Sequence, residues 1–207
     1  SALRLIASIL VTIWAARLSI RIYLRGRGKP EDFRYRKMRE DWGTAVVWKS
    51  FVMIYMLQGL IIYVCAVPVM LLNAYNGNVT FGVIALIGVL AWIKGFGYEA
   101  VGDAQLDRFM KDPASKGKIM NRGLWRYTRH PNYFGESVLW WGIALIAFGT
   151  LGTTQPLWIA LLPFIAPLLI TFLLIKVSGI PMLEEKMEGK PGWTEYKART
   201  SVFFPWF

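Results

Sequence analysis

The sequence predicts an all-α protein: a polytopic transmembrane helical bundle of about five membrane helices, followed by an interfacial C-terminal helix. Three observations predict it. Of the 207 residues, 55% are hydrophobic and 18% charged, where an ordinary soluble domain carries ~25% charged residues. The apolar residues come in blocks, and five of these approach the span of a membrane helix, which needs ~20 residues to cross a hydrocarbon core ~30 Å thick. Lysine and arginine crowd into some connections and are missing from others. At this length the chain is read as one domain, with residues 1–207 forming a single membrane unit.

The first segment, residues 3–24, is the weakest, because Arg17 and Arg21 interrupt its second half. The second covers 44–72, with a kink expected at Pro68. The third begins near residue 80 and is apolar to 97, the fourth runs from after Pro131 to 148, and the fifth covers 156–177. Pro163 and Pro167 lie inside the fifth, where neighbouring helices can satisfy the freed backbone groups. Residues 31–43 form a mixed-charge amphipathic piece, set at the interface or buttressing the other loops. In the tail, Trp193, Tyr196 and the aromatics of 203–207 alternate with cations, the pattern of an interfacial helix and anchor.

Charge sets the orientation. The connections 25–43 and 107–130 and the tail from Lys176 hold nineteen cations, whereas 73–79 and 149–155 hold no charged residue. Positive loops stay on the cytosolic-equivalent side. With five spans, the basic loops and the C-terminus share that side and the N-terminus faces outward. All thirteen acids lie on or near the same side, so any chemistry belongs there. The net charge of +11 follows from this sidedness and does not call for a nucleic-acid partner.

Several other features carry little. Cys65 is the single cysteine and lies in an apolar run, which excludes a disulfide framework and a CxxC metal site. The glycosylation pattern Asn78-Val79-Thr80 sits so close to the bilayer that it reads as chance. The chain opens Ser1-Ala2-Leu3 without a Met and is read as trimmed, with upstream segments missing; it offers no signal-peptide cleavage site. No metal-ligand cluster or nucleophile–base pair stands out in the sequence.

The informative residues begin where the third segment leaves the membrane. Tyr98, Glu99, Asp103, Gln105, Asp107 and Arg108 continue it in helical register, with no breaker before Pro113. Tyr98 and Gln105 share a face, and Asp103 and Asp107 form an i,i+4 pair. Two acids so placed read either as a solvated helix end or as part of a site. Lys94, inside the apolar part, costs ~2.5–3.5 kcal/mol to insert. It either snorkels to the basic side or faces the bundle and pairs with an anion.

The run Gly123-Leu-Trp-Arg-Tyr-Thr-Arg-His-Pro-Asn-Tyr-Phe-Gly-Glu136 then gathers the only histidine with two arginines, two tyrosines, an asparagine and a glutamate. Pro131 sits where a helix starts. Unpaired N–H groups at that end favour an anion, and Arg126, Arg129 and His130 add charge-assisted donors. Glu136, one turn further, puts a carboxylate into the bundle, which is expensive unless it has a role. Tyr196 and Lys197 are placed to close over a ligand held by this loop.

At these residues a resemblance appears. The 123–136 run, with Ser178-Gly-Ile-Pro-Met-Leu-Glu184 and Tyr196…Thr200-Ser-Val-Phe-Phe-Pro205, is similar to the steroid 5-alpha-reductase-like membrane family, especially its bacterial-type branch of uncharacterised reductase-like proteins. Glu31-Asp-Phe-Arg-Tyr…Met38-Arg and Asp103-Ala-Gln105…Phe109 extend the likeness over nearly the whole chain. The Arg-His-Pro core also resembles isoprenylcysteine carboxyl methyltransferases and phospholipid methyltransferases; Asn132-Tyr…Gly135-Glu and the Ser-Gly-Ile-Pro segment tilt it to the reductases.

The resemblance implies a helical bundle that holds NADPH from the cytosolic side and passes hydride to an activated carbon–carbon double bond in a lipophilic, steroid- or isoprenoid-like substrate. On that pattern Asp103, Arg126, His130, Asn132, Tyr133 and Glu136 match cofactor-contacting positions, with Lys176 and Tyr196 as contacts for phosphate or adenine. Steroid reductases polarise their substrate carbonyl with a Glu and a Tyr from earlier helices. Here Trp14 falls near the Tyr position, and the helix bringing the Glu is expected outside this chain. Two other readings stay open: an S-adenosylmethionine-dependent membrane methyltransferase, and a non-catalytic accessory subunit of a larger membrane complex. Membrane lipids are partners on every reading, and the substrate pocket is written in interchangeable apolar residues.

Overall fold

Glycine recurs every seven residues on the two central spans, at positions 88, 95 and 102 and again at 135, 142 and 149. Heptad spacing keeps each set on one helical face. In the computed structural model, which describes residues 2–28, 31, 33–75 and 82–206, these two faces meet. A Cβ placed on Gly88 would lie 2.7 Å from the carbonyl oxygen of Gly142, and one on Gly149 would lie 2.9 Å from the backbone nitrogen of Ala85. Residues early in one helix thus meet residues late in the other, so the pair is antiparallel. Without side chains between them the backbones close to contact, the packing that substitutes for hydrophobic drive inside lipid.

Around this pair the chain forms α1 (Ala2–Gly26), α2 (Phe33–Trp42), α3 (Val46–Ser50) and α4 (Leu57–Ala74). The glycine-faced helices are α5 (Val83–Lys111) and α6 (Pro131–Leu151). Then come α7 (Leu157–Leu161), α8 (Ile165–Phe172), α9 (Ile180–Glu185) and α10 (Trp193–Arg199). A π-helical stretch, Phe51–Met56, joins α3 to α4, and another, Leu173–Val177, follows α8. Among the described residues, five helices are long and apolar enough to cross a membrane: Ala2–Gly26, Tyr35–Ala74, Val83–Lys111, Pro131–Leu151 and Leu157–Glu185. The protein is a multi-pass membrane helical bundle, with no strand among the described residues. Its core runs along α1, α4, α5, α6 and α8 through Leu3, Leu72, Trp92, Leu139, Ile143 and Ile170.

The helix ends follow local chemistry. α5 continues past the apolar stretch, as its register predicts, and stops at Asp112-Pro113. There the Asp112 carboxylate accepts from the Ala114 N–H at 3.0 Å and the Ser115 hydroxyl at 2.9 Å, bonds that hold its carboxyl below the usual range. α6 starts at Pro131, whose missing N–H costs nothing at a first turn. α4 runs on through buried Pro68, and the π-helical stretch lies earlier in the same span.

One expectation is corrected. The first span is not weakened by its arginines, because they face α5 and its acids. In the C-terminal helix Trp193 and Tyr196 are each 3% exposed, packed under the loop that precedes α6, while Lys197 and Arg199 on the same helix and Phe204 and Trp206 beyond it are exposed. Lys94 is exposed and makes no ion pair with described residues, so it does not face the bundle interior. Asn78-Val79-Thr80, Asp32 and Phe207 lie outside the described residues.

Candidate functional site

Arg17, Arg21 and Arg25 recur every fourth residue on α1; Glu99, Asp103 and Asp107 do the same on α5. Such spacing lines each set along one face, and because both helices run the same way the two ladders mesh. Arg17 reaches Glu99 and, at 3.1 Å, Asp103. Arg21 lies 3.2 Å from Asp103 and 3.0 Å from Asp107, and Arg25 lies 3.6 Å from Asp107. Trp14 donates its indole N–H to the other oxygen of Glu99 at 3.0 Å. Glu99 and Asp103 are each only 2% exposed. Carboxylates buried to this degree persist because paired guanidinium groups offset their desolvation.

α6 brings its own polar residues to the same place. The α5–α6 contact continues through Gly95 and Gly135 to the backbone of Glu99. Asn132 and Glu136, four apart on α6, flank that contact. The Asn132 Oδ1 is buried and has no hydrogen-bond partner among the described residues. Glu136 makes no hydrogen bond or ion pair with described residues and sits in the field of Glu99, Asp103 and Arg17. The cluster therefore holds one more carboxylate than guanidinium and two side chains whose polar capacity is unused.

Below it lies a second cluster. Arg129, 9% exposed, donates to Glu184 through Nε at 2.8 Å. Its Nη1 donates to the carbonyl oxygens of Lys197 at 2.9 Å and Thr200 at 2.7 Å. His130 shares the same Glu184 oxygen at 3.1 Å and stacks on Tyr133, with ring centroids 5.6 Å apart. The Tyr196 hydroxyl donates to the Trp125 carbonyl oxygen at 2.5 Å, and burial pushes its phenol pKa up. Arg129 and Tyr196 thus fasten the tail to the loop before α6. A cavity of about 290 Å³ opens beside them, floored by Phe109, Ile119 and Trp193 and rimmed by Lys118, Lys186 and Lys190.

The eight residues singled out in the sequence fall in four places. Asp103, Asn132 and Glu136 come together inside the bundle; His130, with Tyr133 stacked on it, borders the 290 Å³ cavity. Tyr196 is the wall between that cavity and a second one of about 510 Å³, where Arg126 sits. Lys176 is exposed on the π-helical stretch after α8. Sequence reasoning missed Arg17, Arg21, Trp14 and Glu99 as one assembly. The signal was available: two sets of opposite charge with the same four-residue repeat, one of them inside an apolar segment. Among the described residues no group of three His, Cys, Asp or Glu side chains is placed to hold a metal ion.

The sequence family DUF1295, described as a protein of unknown function, matches residues 1–200, which takes in both clusters. The chain belongs to the DUF1295 family. An uncharacterized protein of Schizosaccharomyces pombe, C594.04c, is 26% identical over 97% of this chain. The chain spans 63% of that relative's length. No solved structure matches the chain.

Proposed function

We propose that this membrane protein is an NADPH-dependent reductase of an activated carbon–carbon double bond in a lipophilic substrate, with its cofactor side on the basic face. The observation that carries this reading is the pair Asn132 and Glu136: a buried amide oxygen and, one turn on, a carboxylate, neither with a hydrogen-bond partner among the described residues. Buried polar groups are ordinarily satisfied, so two unused acceptors on one helical face fit a ligand that brings N–H donors. A nicotinamide carboxamide is such a donor. The likeness of the 123–136 run to steroid 5-alpha-reductase-like proteins points the same way.

The donor set fits the rest of a dinucleotide. Asn132 and Glu136 would accept from the carboxamide, and Asp103, held by Arg17 and Arg21, would fix the wall behind it. His130 borders the cavity whose apolar floor suits an adenine and whose Lys118, Lys186 and Lys190 suit phosphate. When bound, NADPH supplies the hydride. The chain's own part is to orient the ring, keep water from it and hold charge near it. Lipid-facing apolar surface on α1 and α4 suits a substrate that arrives from the bilayer.

The test is fluorescent NADPH binding to the purified, detergent-solubilised protein and to Asn132→Ala and Glu136→Ala. Binding by the parent and at least a tenfold loss in each variant is expected, from about 1.4 kcal/mol per contact. Equal retention by all three overturns the assignment of these residues. Thermal stabilisation by S-adenosylmethionine but not by NADPH would establish the methyltransferase reading instead. Absence of binding by either, with co-purification in a stoichiometric assembly, would establish the accessory-subunit reading.

A further inference from the structure

The 510 Å³ cavity on the far side of Tyr196 has a different character from the site above. Its lining includes Asn121, Arg126, Tyr127, Arg199, Thr200 and Trp206, with two guanidinium groups and no carboxylate. Arg126 and Arg199 are exposed, and neither makes a hydrogen bond or ion pair with described residues. Every arginine of the α1 ladder, by contrast, is matched to an acid. Two arginines without an acid partner among the described residues converge on one hollow, and paired guanidinium forks suit a phosphate.

The hollow is fixed in shape by backbone pairing. Arg129 N–H donates to the Ser201 carbonyl oxygen at 2.8 Å and Trp206 N–H to that of Tyr127 at 3.0 Å. The Thr128 hydroxyl donates to the Phe203 carbonyl oxygen at 2.9 Å. These bonds hold residues 201–206 along the loop that leads into α6, with Arg126 and Arg199 on the two partners. Phe203 and Phe204 pack on Phe134 in the first turn of α6, with ring centroids 5.8 and 6.1 Å away. The hollow therefore lies at the level where α6 enters the membrane. Phe204 and Trp206, 67% and 78% exposed, project beside it, as aromatics do where headgroups meet acyl chains.

We infer that the Arg126–Arg199 hollow binds the phosphate headgroup of an anionic phospholipid from the surrounding bilayer, with Phe204 and Trp206 seated among its acyl chains. The volume falls within the ~300–1,000 Å³ of small-ligand sites. The headgroup supplies the missing charge, and its attached chains explain the exposed aromatics, which a free phosphate would leave bare. This inference departs from the family resemblance at Arg126, which it gives to a phospholipid and not to NADPH, because Tyr196 separates the hollow from the cavity beside His130.

The experiment uses the whole chain in detergent, with thermal stabilisation and native mass spectrometry as readouts. Dioleoyl phosphatidylglycerol, dioleoyl phosphatidylcholine, inorganic phosphate and NADPH are titrated separately. Phosphatidylglycerol is expected to bind the parent at least tenfold more tightly than phosphatidylcholine, and Arg126→Gln/Arg199→Gln is expected to lose about tenfold or more of that preference. Lys111→Gln/Lys116→Gln, which removes equal charge elsewhere on the basic face, should retain it. Three results overturn the inference: equal loss in both double variants, stabilisation by phosphate alone to the same extent, or displacement of the phospholipid by NADPH. If the Arg126/Arg199 double variant does not fold, Arg199→Lys decides: preserved charge without the planar fork should weaken retention, and unchanged retention overturns the assigned contacts.

Discussion

Arg21 grips Asp107 through two parallel bonds, Nε to one carboxylate oxygen at 3.0 Å and Nη2 to the other at 3.1 Å. Its remaining nitrogen lies 3.2 Å from Asp103. One guanidinium so placed links two acids of α5 to a helix distant in sequence. Removing it by Arg21→Ala leaves Asp107 with only Arg25 and is expected to destabilise the bundle by about 3 kcal/mol. Arg21→Leu with Asp107→Leu removes both charges together and should recover most of the loss. Melting in detergent checks this; equal melting temperatures for the single and double variants would refute the linkage.

Hydropathy finds the five spans because lipid demands about twenty apolar residues in a row, and residues such as those of 131–148 supply them. The same measure scores Arg17 and Arg21 as faults in the first span. Only a pairing argument, matching their repeat to that of Glu99, Asp103 and Asp107, shows them to be an internal face. The run 123–136 is legible as polar chemistry at a helix start, yet its residues divide in ways spacing does not reveal. Arg129 and Arg126 are three apart and look alike in sequence. One is buried on Glu184 and tail carbonyl oxygens; the other faces an open hollow. Which arginine is structural depends on where residues 184–206 return, a long-range fact no local pattern encodes.

The glycine face gives a sharper test of packing. A Cβ on Gly142 would lie 2.6 Å from the Gly88 carbonyl oxygen and 2.7 Å from the Trp92 backbone nitrogen. Gly142→Ala should force α5 and α6 apart and lower stability by about 1–3 kcal/mol. Gly97, on α5, has nothing within 4 Å of such a Cβ. Gly97→Ala should leave stability unchanged or raise it by up to about 1 kcal/mol, since alanine loses less backbone entropy in a helix. Similar melting shifts for the two variants would contradict the close approach of the helices.

Arg129 holds the tail through Glu184, Lys197 and Thr200 at once. Arg129→Met keeps much of the side chain's bulk and removes every one of those bonds. The expected result is a tail that opens and becomes cleavable by trypsin after Lys186, Lys197 and Arg199, while the membrane spans stay resistant. Limited proteolysis followed by intact-mass measurement reads this directly. A variant cleaved no faster than the parent would show that α10 is held without the Arg129 bonds.

Tyr196 predicts an alkaline limb. Its hydroxyl donates to the Trp125 carbonyl oxygen in a buried setting, and burial raises the phenol pKa above its usual value. The folded chain thus holds this proton more tightly than the unfolded chain, whose tyrosines titrate near about 10. The contribution is complete below that pH and declines as pH rises through the range up to the folded pKa, by about 1.4 kcal/mol per unit at most. Tyr196→Phe removes the hydrogen bond and should cost about 1 kcal/mol at neutral pH, but it has no proton to lose. The melting-temperature gap between parent and variant is therefore expected to hold steady from pH 7 to 9 and to narrow above about pH 10. A gap that stays constant to pH 11 would mean that the phenol is not held in its neutral form by the fold.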